Sequence, residues 1–240
     1  NGKRYEADLS IPDTVRFVTE QSMTAYNLVL VQSSSANALA INASTISSRN
    51  FINYANLANQ GDYIIISNPL IYGSGPSNYV EQYKQYRSTS AGGGYNAIIA
   101  DINQLVDQFA YGVKLHPLSI KNFVRYARSN FLTTPKFVFL IGKGLNYIDY
   151  RNNEAASDIS YQNLVPTWGS PASDNLLVSE DLSNAIPAIS IGRLSAISAD
   201  EVGNYLTKVK QYDSAQASNS NLIKDKGWMK NVLQVAGTND

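Results

Sequence analysis

The chain runs to 240 residues, 44% of them apolar and only 16% charged, with 19 basic side chains balancing 19 acidic ones and no cysteine. That length buries a core in one α/β domain or two small ones, and the neutral balance excludes the basic excess with which proteins track a phosphate backbone, so no nucleic-acid partner is expected. Without cysteine there is no thiolate nucleophile, disulfide or cysteine-based zinc site, and a single histidine cannot build a multi-histidine metal centre.

Polarity comes instead from Ser, Asn, Gln and 16 tyrosines, which hydrogen-bond without charge. Residues 1–50 read as a β-rich arm, or as the end of a preceding β domain. Thr14–Val18 and Tyr26–Val31 have strand composition. The uncharged stretch Val31 to Ser48 is too rich in Ser, Asn and Thr to satisfy a bilayer core, so it reads as a linker, and no membrane span is expected. Asn1-Gly2-Lys3-Arg4 has no apolar signal core behind it and no initiator Met, which together with the unfinished apolar run near the end suggests a mature product or a fragment.

From Phe51 onward strands alternate with helices. Tyr63–Ile66 is a short apolar run of the buried-strand kind, ended by Asn68-Pro69. Tyr79, Tyr83 and Tyr86 fall at helical spacing; Tyr95–Ala100 is a second strand, followed by Leu105, Val106 and Phe109 on a short helix. His116-Pro117 opens a helix whose apolar stripe is Ile120, Phe123, Val124 and Ala127. Lys136–Ile141 is a third buried strand, residues 142–173 form a long polar loop, and Pro187–Ile191 is a further strand. Ser198 to Asp213 is a helix opened by the capping box Ser198-Ala199-Asp200-Glu201, and Val232–Ala236 begins one more strand. Such alternation predicts a mostly parallel sheet covered on both faces, a three-layer α/β sandwich.

Five features lose their functional reading. Gly142-Lys143-Gly144 lacks the earlier Gly and the following Ser or Thr of a phosphate loop. Gly92-Gly93-Gly94 precedes a strand, whereas a dinucleotide loop follows one. His116 reads as a helix-entry or surface residue, and the pairs Glu180-Asp181 and Asp200-Glu201 read as solvation, capping and helix-dipole residues rather than acid/base pairs.

Taken in order, several segments between Asp62 and Asp213 resemble the gingipain-type cysteine peptidases, in the branch containing the type IX secretion sortase. They are Gly61–Ile66, Asp101–Leu105 with Phe109–Gly112, Ile120–Phe123, Pro135–Gly142, Ser173-Asp174-Asn175, and Pro187–Leu194 with the helix reaching Lys208 and Tyr212. The resemblance implies a caspase-like α/β fold of two side-by-side subdomains. Residues 51–228 would be the first, non-catalytic one, and 229–240 the start of the second. The family's catalytic His and Cys lie in that second subdomain, beyond the Gly-Arg-Leu segment and its following helix. A thiolate attacks the peptide carbonyl, His shuttles the proton and backbone N–H groups hold the oxyanion. With no Cys, this chain alone is expected to be inert.

The resemblance further implies a polypeptide substrate, secretion-system proteins as partners, and an extracellular or outer-membrane-surface location in a Bacteroidetes-type bacterium. It requires no cofactor and admits calcium. By position Asp174 matches the acid that recognises arginine in arginine-specific members, where two parallel charge-assisted hydrogen bonds hold the guanidinium; the alternative is that Asp174 caps or braces its loop. Arg193 reads as an ion pair bracing the sheet end, with a substrate contact as the other reading. Gly142 and Gly144 supply backbone conformations with positive φ, and Gly192 belongs with Arg193 to the Gly-Arg-Leu motif. One departure stands out: where the family commonly has Gly-Asp-Gly-Ser, this chain has Gly142-Lys143-Gly144-Leu145. That charge inversion favours a divergent or inactive relative acting as an assembly component. A Tyr-rich glycan-binding module is the third reading, on composition alone.

Overall fold

The computed structural model describes residues 5–22, 25, 26, 28–30, 48–218, 220 and 222–232, and the chain divides into two compact units, Asn1–Arg49 and Asn50–Asp240. In the first, the described residues form one antiparallel bridge, Asp8 with Arg16, fastened by two backbone hydrogen bonds and by the Arg16–Asp8 ion pair at 2.7 Å. The strand expected at Thr14–Val18 is thus reduced to that bridge. Val18 is exposed there, and strand composition without a packed partner does not make a sheet. Asn27 and Val31 of the other expected strand lie outside the described residues, as do 233–236 of the strand expected at 232–236.

The second unit is mixed α/β. Four parallel strands, β1 (Tyr63–Ser67), β2 (Ala97–Asp101), β3 (Phe137–Ile141) and β4 (Ser190–Leu194), lie in the order β2-β1-β3-β4. β1 sits in the middle, with Tyr63 opposite both Ala97 and Phe137, and all five of its residues are buried. That double burial is why Tyr-Ile-Ile-Ile carries no polar alternation.

Helices α1 (Tyr79–Ser88), α2 (Ile102–Phe109), α3 (Leu118–Asn130) and α7 (Ala199–Ala217) cover the sheet. Side chains alternate along a strand. On one face Phe139 stacks on Tyr83 of α1 at 5.1 Å and on Tyr205 of α7 at 5.7 Å. Ile64, Ile66, Val138 and Leu140 turn to the other face, where α2 and α3 pack and Phe109, Phe123 and Tyr54 gather their rings. α3 buries Ile120, Phe123, Val124 and Ala127, the expected stripe. α7 is capped by Ser198, whose hydroxyl accepts from the Glu201 N–H, while the Glu201 carboxylate takes the Ile197 N–H.

Two expectations shift. β4 spans Ser190–Leu194 rather than 187–191, so Gly192 and Arg193 lie inside the strand and not after it. Pro187 has no N–H for a ladder and makes only a bridge to Ser179, whereas Ser190 pairs with Phe137. Within 142–173, expected as loop, are the short helices α4 (Tyr147–Asn152) and α5 (Ile159–Gln162), and α6 (Asn175–Val178) follows. None is long enough to show a helical period in the sequence.

Candidate functional site

The strand order creates a switch point of the kind beside which open α/β sheets place a crevice. From β1 the chain leaves toward β2, and from β3 toward β4, so the two connections part at the carboxyl ends of β1 and β3; open α/β sheets place their sites at such points. Ser67 closes the floor by donating its hydroxyl to the Ile141 carbonyl at 2.8 Å. Asn68 donates its amide to the Leu164 carbonyl at 3.0 Å and accepts the Leu70 N–H. Two stretches of the loop after β3 fold on each other, the Lys143 carbonyl accepting the N–H groups of both Leu164 and Val165. Buried Asn163 accepts the Leu145 N–H at 3.0 Å.

Arg193 reaches into this end of the sheet from β4, and its side chain is 11% exposed. Its Nε donates to Asp174 Oδ2 at 2.8 Å and its Nη2 to Asp174 Oδ1 at 2.7 Å, the paired geometry of a guanidinium on a carboxylate. The remaining donors go to main-chain oxygens: Nη1 to the carbonyls of Gly142 (2.7 Å) and Val165 (2.8 Å), Nη2 to that of Pro166 (3.2 Å). All five N–H groups of the guanidinium are therefore matched. Asp174 precedes α6 without capping it by its side chain. Burial pushes its carboxyl up, but the hydrogen bonds and charge of Arg193, with a hydrogen bond from Thr167, outweigh burial and hold it below the ordinary value.

Glycines make the approach feasible. Gly144 does not adopt the positive φ expected of it; glycine is needed there for space, because a Cβ would lie 2.3 Å from the Val165 carbonyl oxygen and 2.9 Å from Arg193 Nη1. Gly142 has φ +144°, and a Cβ there would lie 2.9 Å from Val165 Cγ2. Gly192 is different: its Cβ would meet Phe139 at an ordinary 3.8 Å, so nothing local demands glycine.

Lys121, a residue to which the sequence reading assigned no role, holds the far end of α6. It is almost fully buried and donates to the carbonyls of Leu176 (3.1 Å) and Ser179 and to the Ser179 hydroxyl (3.2 Å). Burial, then the neighbouring Arg125, hold its ammonium below the usual lysine value. The signal available in the sequence was its place one residue after Ile120, inside an apolar stripe.

The remaining candidates sit elsewhere. His116 accepts the Leu118 N–H on Nδ1 at 3.1 Å and lies with its ring 4.5 Å from Tyr147 and 6.0 Å from Trp168; burial lowers its pKa, which favours the neutral ring. Glu180 pairs with Arg128, and Asp181 accepts from the N–H and hydroxyl of Ser183, so these two carboxylates serve separate partners. No three acidic or imidazole side chains come together among the described residues in a way that would hold calcium. Nor is any helix among the described residues long and apolar enough to cross a membrane. A cavity of about 340 Å³ opens at the opposite, amino end of the strands, lined by Arg87, Gly92, Gly93, Tyr95 and Asp213. Arg87 already faces Asp213 there at 3.5 Å, whereas the switch in strand direction and the converging polar groups lie at the carboxyl ends.

A family model described as peptidase family C25 matches residues 56–240. Among solved structures, the crystal structure of dimeric latent PorU from Porphyromonas gingivalis matches at 16% identity with a TM-score of 0.45, covering 62% of this chain and 15% of that one. No curated protein sequence matches.

Proposed function

The chain belongs to peptidase family C25, the gingipain family, and from that premise we propose that it forms the first, non-catalytic subdomain of a gingipain-type cysteine endopeptidase of the type IX secretion sortase branch. It contributes fold support and one wall of the substrate crevice. The thiolate and its general base come from residues outside these 240, because the chain has no cysteine and its one histidine is spent on helix entry and ring packing. The observation that carries the reading is the family match over 56–240, joined to a crevice whose polar groups brace loops and leave no nucleophile. The substrate is a polypeptide, the partners are secretion-system proteins, and the protein works outside the cell or at the outer-membrane surface, without a required cofactor.

One observation favours a second reading, a catalytically inactive relative serving as an assembly component. Lys143 stands between Gly142 and Gly144, where an acid is common in the family, so any acid-dependent contact at that turn is missing. The deciding experiment isolates the protein from its native source, determines its intact mass and full sequence, and assays cleavage of a peptide library with and without iodoacetamide. Thiol-sensitive cleavage by a polypeptide carrying His-Gly and Cys supports the peptidase. A polypeptide lacking that pair, co-purifying with secretion proteins and cleaving nothing, supports the assembly component.

A further inference from the structure

The cavity of about 340 Å³ at the amino ends of the strands, between the turn after α1 and the last turns of α7, has no part in the crevice or in the peptidase reading. We propose that it is a binding site for a neutral sugar, holding two neighbouring hydroxyls of a pyranose between Arg87 and Asp213 with the sugar ring beside Tyr95.

The hydrogen bonds of the two charged residues argue it. Arg87 donates from Nε to the Tyr83 hydroxyl (2.9 Å) and from Nη1 to the Gly92 carbonyl (3.3 Å) and Asp213 Oδ2 (3.5 Å). Among the described residues its Nη2 has no acceptor. Asp213 accepts the Tyr86 hydroxyl at 2.9 Å, again on Oδ2, so its Oδ1 has no donor among the described residues. Both residues line the cavity, and each keeps one hydrogen-bonding atom in reserve.

Two opposite charges this close offset each other, so a charged ligand attracted by one is repelled by the other. An apolar ligand would strip water from both without replacing it. A hydroxyl both donates and accepts. One of a neighbouring pair therefore donates to the carboxylate while the other accepts from the guanidinium, and each bond is strengthened by the charge. The half-buried Tyr95 ring adds an apolar face beside that pair. A volume of about 340 Å³ lies at the small end of ligand pockets, about 300–1,000 Å³, which suits a single sugar ring. The wall is already formed. A Cβ on Gly92 would lie 1.9 Å from the Tyr86 carbonyl oxygen, and one on Gly93, where φ is +111°, would lie 2.3 Å from the Tyr95 ring. The turn is thus drawn tight by residues without side chains, and the Thr89 carbonyl fastens it by accepting the N–H groups of Gly92 and Gly94. Little ordering is left for a ligand to impose.

The test is saturation-transfer NMR on the full 240-residue chain with the methyl glycosides of glucose, galactose, mannose and N-acetylglucosamine. Nα-acetyl-alanyl-alaninamide serves as a neutral peptide of similar size. At least one glycoside should bind saturably in the millimolar range, and more tightly than the peptide. Ala91→Trp, on the exposed rim, puts a ring into the cavity and should abolish that binding without lowering the melting temperature. Asp213→Asn keeps an acceptor for Tyr86 and should weaken it about tenfold, the worth of one hydrogen bond to a charged group. No saturable binding of any glycoside at tens of millimolar would overturn the proposal. So would binding that either folded variant leaves intact, or a peptide that outcompetes every sugar for this cavity. Should Asp213→Asn fail to fold, Ala91→Trp still decides. None of these readouts needs cleavage, so the peptidase reading stands or falls separately.

Discussion

At the amino ends of the strands Arg87 lies among rings, its guanidinium carbon 5.2 Å from the centre of Tyr83 and 6.0 Å from those of Tyr63 and Tyr86. At the carboxyl ends Arg193 lies among main-chain oxygens and one carboxylate. The first arrangement is redundant: Tyr63 and Tyr83 join hydroxyls at 2.9 Å, Arg87 Nε donates to Tyr83, and Tyr95 and Phe137 pack on Tyr63, so each ring has several neighbours and none is irreplaceable. The second converges on one side chain. Rings tolerate small shifts, because dispersion and the ring quadrupole fall off smoothly, whereas carbonyls fanned around a planar guanidinium satisfy only that shape. The ring end of this sheet is therefore buffered, and the crevice end hinges on a single residue.

Substitutions can break or sharpen that contrast. Arg193→Ala should have the largest effect, about 3–5 kcal/mol in chemical denaturation, because it leaves a largely buried carboxylate and three carbonyls unpaired. A loss no greater than that of a ring-end variant would erase the contrast. Gly144→Ala comes next, at about 1–3 kcal/mol, since the new methyl meets the Val165 carbonyl and the guanidinium together; melting curves with and without the substitution check it.

Acid attacks the same brace more gently. Asp174 has a native pKa below the ordinary 3.8. Its contribution is fully present above that ordinary value and is lost as pH falls through the lower native one. The wild type should therefore lose more stability than Asp174→Asn between about pH 6 and about pH 3. Parallel losses would mean that the brace does not depend on charge. At the ring end Tyr63→Phe should cost only about 1 kcal/mol, because Tyr83 keeps its bond to Arg87. Smallest of all, Lys136→Ala removes an ion pair to Asp62 whose lysine is 58% exposed, and less than about 0.5 kcal/mol should register in urea titrations.

The two ends were also unequally legible in the sequence. β1 and β3 stood out because strands buried on both faces must be continuous apolar runs, and the α3 stripe stood out because a helix repeats. β4 starts three residues later than its sequence suggests: it is half-exposed, so its own apolar signal is weaker than that of Pro187-Ala188-Ile189 before it. Asp174 and Arg193 could each be singled out, but their pairing could not, since nothing in the spacing of two residues nineteen apart brings them together. Lys121 shows in the sequence only as a charge set within the α3 stripe; its role as an anchor does not, because its acceptors are the carbonyls of Leu176 and Ser179, and a carbonyl has no letter in the code.

Because Arg193 grips its loops by main-chain oxygens, the grip itself specifies no side chain at the residues that carry those oxygens. Val165 and Pro166 present the same acceptor whatever side chain they bear, provided the backbone path is kept. What constrains those two side chains over generations is the core, since Val165 and Pro166 are both buried, while a single arginine in β4 keeps the loops in register.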